Sequence, residues 1–514
     1  MSCLSKNSAP VSPDRRLFLL GIGRTGIAAA AAHVVRAIGT ILGPGAALLA
    51  AGRAAAQPGD LLIRPPEIRS KNGVLDATLT AAPGRVTLGD FAFPGLLYNG
   101  SYLPPLLRAR LGDTLRITLK NDLPDQPTNL HYHGMSVSPQ GNSDNVFVHV
   151  HPGQQFDYVV RIPANGRQGP GLFWYHPHAH GMADKQVLGG MSGGLVVDGS
   201  EQLFPMLQGL QERFFLIKDP YKDGDNQAIA INGQINPVVQ IRPGEMQFWR
   251  LANIGAELFI KLRIEGMPLY VIATDGHPLR QPRKATQLFL GAGQRIDAIV
   301  IGPPPGEFAM TTVPFQNEAW KTPAPSQQIA TIVSAGPHFS RSTPEAKILA
   351  QRLLGPAWID EVRSAAIARV RTVEYSSTPN RDTFFINGRV MDENGIDQTV
   401  LLGDTEEWTI INRDQQYHSF HIHQTAFLVT EVNGVRRSEG SLRDTFPVPP
   451  ATDAGLGTLK VVIPFTDPVI VGRFVYHCHA ADHEDKGMMG IVEVVSSQST
   501  TNRQGAGHAG HGHP

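Results

Sequence analysis

Several things are scarce in this chain, and each scarcity excludes something. Its 514 residues include two cysteines, Cys3 and Cys478. Cys3 falls in a stretch that reads as an export signal, so the mature protein is expected to carry one thiol and no disulfide in an oxidising compartment. Net charge is also missing: 45 basic residues balance 45 acidic ones, which argues against a nucleic-acid or polybasic membrane partner. Long apolar runs are missing too. The longest charge-free run near the N-terminus, residues 37–52, is too short for a stable membrane span and is interrupted by Gly and Pro. Methionine is sparse and scattered, with 11 residues in all and none between Met391 and Met488.

Glycine and proline are plentiful, at 53 and 40 residues, which suits a turn-rich all-β protein. Three segments repeat. Asn99-Gly100 leads through Gly112-Asp113 to Asn121, Asn232-Gly233 through Gly244-Glu245 to Asn253, and Asn387-Gly388 through Gly403-Asp404 to Asn412. Asn-Gly marks a tight hairpin, and a repeat of this length marks a duplicated domain. The expected organisation is a signal peptide over 1–56, domains over 57–205 and 206–340, a connector over 341–372, a third domain over 373–496 and a disordered Gly/His tail over 497–514. Arg15-Arg16 before an apolar stretch, with Ala54-Ala55-Ala56 as a cleavage site, predicts twin-arginine export to the periplasm and a mature start near Gln57. AKILAQRLL and IDEVRSAAIARV, between Pro344 and Val370, read as helical turns.

The chemistry is concentrated in Tyr476–Met489, YHCHAADHEDKGMM. A strand alternates its faces, so Cys478 points away from His477 and His479, and one strand can serve two metal sites. HSFHIH, His418 to His423, sorts the same way: His421 and His423 share a face and His418 turns away. Two His, one Cys thiolate and a weak axial Met form a blue-copper site, and His418, Cys478, His483 and Met488 supply that set. The pairs His131/His133 and His176/His178, with His421/His423 and His477/His479, give eight imidazoles for a second, polynuclear site. The place corresponding to HYHG and HSFHIH in the middle repeat reads IGAELFIKLRIEG, without histidine, so the middle domain is expected to hold no ligands and to set the spacing of its neighbours.

The four blocks, HxHG, HxH, HxxHxH and HCHxxxHxxxxM, resemble the multicopper oxidases over about residues 60–496. That resemblance implies three consecutive cupredoxin-like Greek-key β-sandwich domains with a short helical connector before the third. It implies four copper ions. His418, Cys478, His483 and Met488 would hold the type 1 ion and His131 and His421 the type 2 ion. His133, His176, His178, His423, His477 and His479 would hold the type 3 pair. Parity supports the division between the two sites, and the assignment within the cluster rests on the resemblance.

Water formation needs protons, and the same resemblance implies three acids for their handling or for orienting ligands: Asp144 in NSDN, Glu484 after His483, and Asp444 in LRDTF. It places Asp444 near His418, which it would orient, or where it would accept a substrate proton. His149, His151, His180 and His277 fall outside the pattern and read as structural, and Met489 as core. His508, His511 and His513 belong to the tail.

The expected activity is laccase-like: one-electron oxidation of phenolic or aromatic donors, with O2 reduced to water. A periplasmic cuprous oxidase taking Cu(I) is the alternative, weakened by the lack of a methionine-rich insert. A copper-free structural relative is the remote third.

Overall fold

The computed structural model describes residues 59–220, 228–340, 343–352 and 358–496. The export signal, the expected start at Gln57 and the histidine tail lie outside the described residues. Among the described residues no helix is long and apolar enough to cross a membrane.

The three repeats become three copies of one structural device. Each Asn-Gly pair has positive φ at both positions: 52° and 65° at Asn99-Gly100, 51° and 70° at Asn232-Gly233, 53° and 72° at Asn387-Gly388. This is the backbone of a type I′ turn, which Asn and Gly tolerate and most residues do not. The strand that ends in the closing asparagine pairs in parallel with an earlier one in every copy: 74–81 with 114–121, 211–217 with 247–253, and 369–375 with 406–412. The closing asparagine is buried each time, and its amide bridges two loop carbonyls. Asn121 donates to Gln126 and Val150, Asn253 to Leu258 and Leu290, and Asn412 to Gln416 and Pro449. The shared motif therefore fixes a loop junction as well as a hairpin.

Around these frames the strands form six sheets, two per repeat, of five and four, seven and five, and six and five strands. The protein is three cupredoxin-like β-sandwich domains in succession. Each sandwich closes on its own apolar core, with Tyr132 and Leu195 in the first, Trp249 and Val271 in the second, and Trp408 and Phe420 in the third.

Short helices over Glu345–Leu349 and Trp358–Ser364 precede the third sandwich. The second helical run ends earlier than its composition predicts. Arg369 and Val370 belong to the strand Arg369–Ser377, paired with residues 406–412. The available sheet edge outweighs local helix propensity.

Candidate metal centre

The strand His418–Ile422 lies antiparallel to Gly472–Cys478, with Phe420 opposite Cys478 and His421 opposite His477. Residues directly opposite share a face, so His418 and Cys478 fall on one side and His421 and His477 on the other. The period-two division is realised in the sheet.

On the first side, Cys478 Sγ lies 3.4 Å from His418 Nδ1 and 3.5 Å from His483 Nδ1, and the two nitrogens are 3.0 Å apart. Ser419 N–H donates to the sulfur at 3.4 Å. Met488 is fully buried in the same core, and its carbonyl accepts from Cys478 N–H at 3.1 Å. His418 Nε2 donates to Asp414 Oδ2 at 2.9 Å, which turns Nδ1 towards Cys478 and His483. His483 stacks on Phe384, with ring centroids 4.1 Å apart. Burial alone would lower the His418 pKa. The Cys478 thiolate and Asp414 outweigh it and hold the imidazole up at about 9.

On the second side, eight imidazoles from the first and third domains interleave. His131 stacks on His423 and His133 on His421, at 3.8 and 3.9 Å between centroids. The Nε2 atoms of His178, His423 and His477 form a triangle with sides of 3.1, 3.2 and 3.2 Å. His479 Nε2 lies 3.1 Å from His133 Nδ1. Imidazoles bound to one ion at about 2 Å stand about 3 Å apart, so these spacings fit shared metal ions.

The hydrogen bonds make the same point. Nδ1 of His131 is held by Asp144 at 3.0 Å, that of His176 by the Pro177 carbonyl at 2.9 Å, and that of His421 by the Asp444 carbonyl at 2.8 Å. Each bond fixes the ring hydrogen on Nδ1 and leaves Nε2 buried without a partner. Such orphaned acceptors cost free energy in a dry interior unless something binds them, and neutral imidazole nitrogen is a good ligand for copper. Burial, with repulsion among the rings, pushes His133, His176, His421, His423 and His479 well below the ordinary imidazole range. Burial carries His178 down to about 3. The rings are therefore neutral and their lone pairs available.

Asp144 and Glu484 stand beside this cluster. Asp144 bonds His131, Tyr132 N–H and the Gln424 amide. Glu484 lies 3.0 Å from His477 Nδ1 and 3.4 Å from His178 Nδ1. Burial disfavours its charge, but the imidazoles of His178 and His477 outweigh that and hold it at about 2.

Asp444 departs from expectation. It is 1% exposed and touches His133 Nε2 at 3.1 Å, while the carboxylate beside His418 is Asp414. Asp444 lies just outside the strand Thr445–Val448, so the alternation that puts Thr445 beside His421 does not govern it; Arg295 and His133 hold its carboxylate on the cluster side. Burial also removes it from any surface donor. Asp414 was missed, and its spacing of four residues before His418 marks it only once the intervening turn is known.

The remaining histidines stay apart. His149 sits 3.4 Å from Glu393 on the surface, His151 is exposed, and His277 packs against Trp358. His180 is half-buried. Met489 packs with Val146, Val475 and Ile491 rather than in the core that holds Met488.

Three β-sandwiches carry a Cys/His₂ group and an adjoining imidazole cluster, both donor sets that could hold metal ions. Three multicopper oxidase family models match in tandem, over residues 83–202, 205–336 and 367–498. The chain belongs to the multicopper oxidase family, which implies copper cofactors and oxidoreductase chemistry with O2. A multicopper oxidase of Staphylococcus haemolyticus is 26% identical over 83% of this chain and 90% of its own length. The cell division protein FtsP of Dickeya dadantii is 25% identical over 78% of this chain and 85% of its own. The structure of a multicopper oxidase from Campylobacter jejuni, described as a metallo-oxidase, superposes with a TM-score of 0.71 at 25% identity, over 86% of this chain and 96% of that one.

Proposed function

We propose that this protein is a laccase-like multicopper oxidase that takes single electrons from phenolic or aromatic donors and reduces O2 to water. One observation carries the reading. Cys478 places its sulfur among His418 and His483, while its neighbours His477 and His479 reach into the imidazole cluster. A few covalent bonds of one strand thus join an electron-accepting site to an oxygen-reducing one.

In this reading four coppers bind. His418, Cys478, His483 and Met488 would hold the type 1 ion, and His131 and His421 the type 2 ion. His178, His423 and His477, with His133, His176 and His479, hold the type 3 pair. The ions supply one-electron redox steps and a binding place for O2. The chain supplies the rest. Asp414 fixes the ring of His418, Asp144 fixes His131, and Glu484 holds a negative charge against His178 and His477, where protons must arrive. The complete donor set favours an enzyme over a copper-free role such as cell division.

The donor side favours organic substrates. The backbone of Asn317 and Ala319 hydrogen-bonds to Gln415 and Tyr417, immediately before His418. Trp320, next in that loop, is 41% exposed, with the Arg381 guanidinium over its ring. An exposed indole in the loop bonded to the segment just before His418 suits stacking with an aromatic donor. The second reading, a cuprous oxidase, draws on the metallo-oxidase description of the Campylobacter jejuni relative. The two-arginine signal supports export to the periplasm through the twin-arginine machinery.

Oxygen uptake by copper-loaded protein with a dimethoxyphenol, with and without excess Cu(II), and separately with Cu(I), tests this. Brisk phenol turnover without added copper is expected. Turnover only with added copper or Cu(I) would overturn it in favour of metal-ion oxidation.

A further inference from the structure

The middle domain holds none of the cluster histidines, yet one of its loops lies against them. Gly291 to Arg295 runs beneath the cluster. A Cβ at Gly293, where φ is +87°, would stand 3.0 Å from both His133 Cε1 and His479 Cδ2. Ala292 accepts from Ser419 Oγ at 3.2 Å, and Gln294 donates to the Thr445 carbonyl at 3.1 Å.

Arg295 is the centre of this contact. It is 1% exposed. Its two terminal nitrogens grip Asp444 as a fork, at 2.7 and 2.6 Å. Its remaining donors reach Gly293 of its own loop and Leu172 of the first domain, at 3.1 and 3.2 Å. Gly134 of HYHG has φ +83°, and a Cβ there would overlap the guanidinium and the Asp444 carboxylate. One side chain of the middle domain therefore meets both copper-side domains.

The consequence falls on His133. A carboxylate held in a guanidinium fork accepts and does not donate. Asp444 Oδ1 lies 3.1 Å from His133 Nε2 and also accepts from the Thr445 hydroxyl at 2.8 Å. His133 must give it the Nε2 hydrogen, which leaves Nδ1 facing His479 at 3.1 Å. Within the cluster this is the reverse of His131, His176 and His421, which are anchored through Nδ1.

We propose that Arg295 is a positioning residue of the oxygen-reducing site, acting through Asp444 to fix the tautomer and ring orientation of His133. The proposal rests on the reading of the cluster as a copper site. The middle domain is then part of the metal site's support as well as its spacer. Arg295 does not touch the reacting atoms; it sets which nitrogen His133 presents.

The test uses the full mature chain and four measurements: copper per chain, the blue absorption at Cys478, the fraction of bound copper visible by EPR, and His133 ring-nitrogen shifts in copper-free protein labelled with nitrogen-15 histidine. Arg295→Gln is expected to keep the blue absorption, to lose copper from the His133–His479 position or raise the EPR-visible fraction, and to lower turnover about 10–100-fold. Arg295→Lys should recover part of this, because an ammonium holds one carboxylate oxygen but cannot fork. The charge-free pair Arg295→Met with Asp444→Leu covers the case in which a lone buried charge unfolds the chain, since removing both partners of a buried ion pair is often tolerated. It should stay blue and show the same cluster defect.

Unchanged copper content, EPR-visible fraction and turnover in Arg295→Gln or in the pair would overturn the proposal. So would a His133 hydrogen found on Nδ1 in the unmodified copper-free chain, a result independent of any variant's folding. Failure of the unmodified chain to bind copper would instead sink the copper reading, leaving the tautomer measurement to decide the positioning role.

Discussion

His418 Nε2 lies 2.9 Å from Asp414 Oδ2, four residues earlier in the chain. Asp414 is itself held by Ser377 Oγ at 2.9 Å, and its side chain is 13% exposed. The acid thus links the buried cysteine site to the surface. Its negative charge stabilises the more positive, oxidised state of a metal at His418. Asp414→Asn is expected to raise the reduction potential of the blue site by tens of millivolts, on the scale of one partly screened charge. A redox titration of the blue absorption measures this, and an unchanged or lowered potential would count against it.

Trp320 offers a way to separate donors. Trp320→Ala should raise KM for an aromatic donor about fivefold, the equivalent of a lost ring contact of about 1 kcal/mol, and leave oxidation of Cu(I) near its original rate. Equal losses for both donors would show that the indole shapes the loop rather than the substrate contact.

Glu484 stands between two cluster histidines. Glu484→Gln keeps the shape and removes the charge. Oxygen uptake with a saturating donor should fall about 100-fold or more, the usual contribution of a positioned proton-transfer group, while the blue absorption persists and is reduced by donor at the normal rate. Stopped-flow reduction and steady-state uptake together distinguish this from simple copper loss.

The cluster histidines make the copper-free protein sensitive to acid. Burial lowers the pKa of His133, His176, His421, His423 and His479 in the folded state, and that of His178 to about 3. In the unfolded chain they titrate near the ordinary value of about 6.5. Below that pH the unfolded state binds more protons, so stability falls as pH falls. Melting temperatures of copper-free protein should drop progressively below about pH 6.5, while His418, held up at about 9, gives the opposite slope and loses its contribution as pH rises from about 6.5 through 9. Bound copper should raise the melting temperature across the range, because it binds only the folded arrangement.

Gly134 tests the packing between domains. Its φ of +83° and the guanidinium beside it leave no room for a side chain. Gly134→Ala should cost about 2–5 kcal/mol from backbone strain and overpacking together. Urea denaturation of copper-free protein reads this directly, and a loss under about 1 kcal/mol would mean that the contact yields easily.

Much of this was legible in the chain because it depends on local geometry. Alternation along a strand is a property of the backbone, so HSFHIH and YHCH separated the two sites before any fold was known, and the sheet register agrees. The Asn-Gly turns were equally local: positive φ suits Asn and Gly, and all three positions adopt it. Spacing alone could have offered Asp414, since four residues separate it from His418, but an acid at that distance carries no signal until the turn between them is known.

The rest was decided by tertiary structure. His133 and Asp444 are 311 residues apart, and Arg295 and Asp444 are 149 apart. No periodicity connects such positions; they meet because three separately closed sandwiches pack together. Which ring nitrogen each histidine presents follows from the acceptor on its other side, and that acceptor usually belongs to another strand or domain. The sequence by itself determined the ligand inventory and its division into two sites, through period-two backbone geometry. The partners and tautomers of histidines such as His133, and the part played by the middle domain, were set by long-range packing.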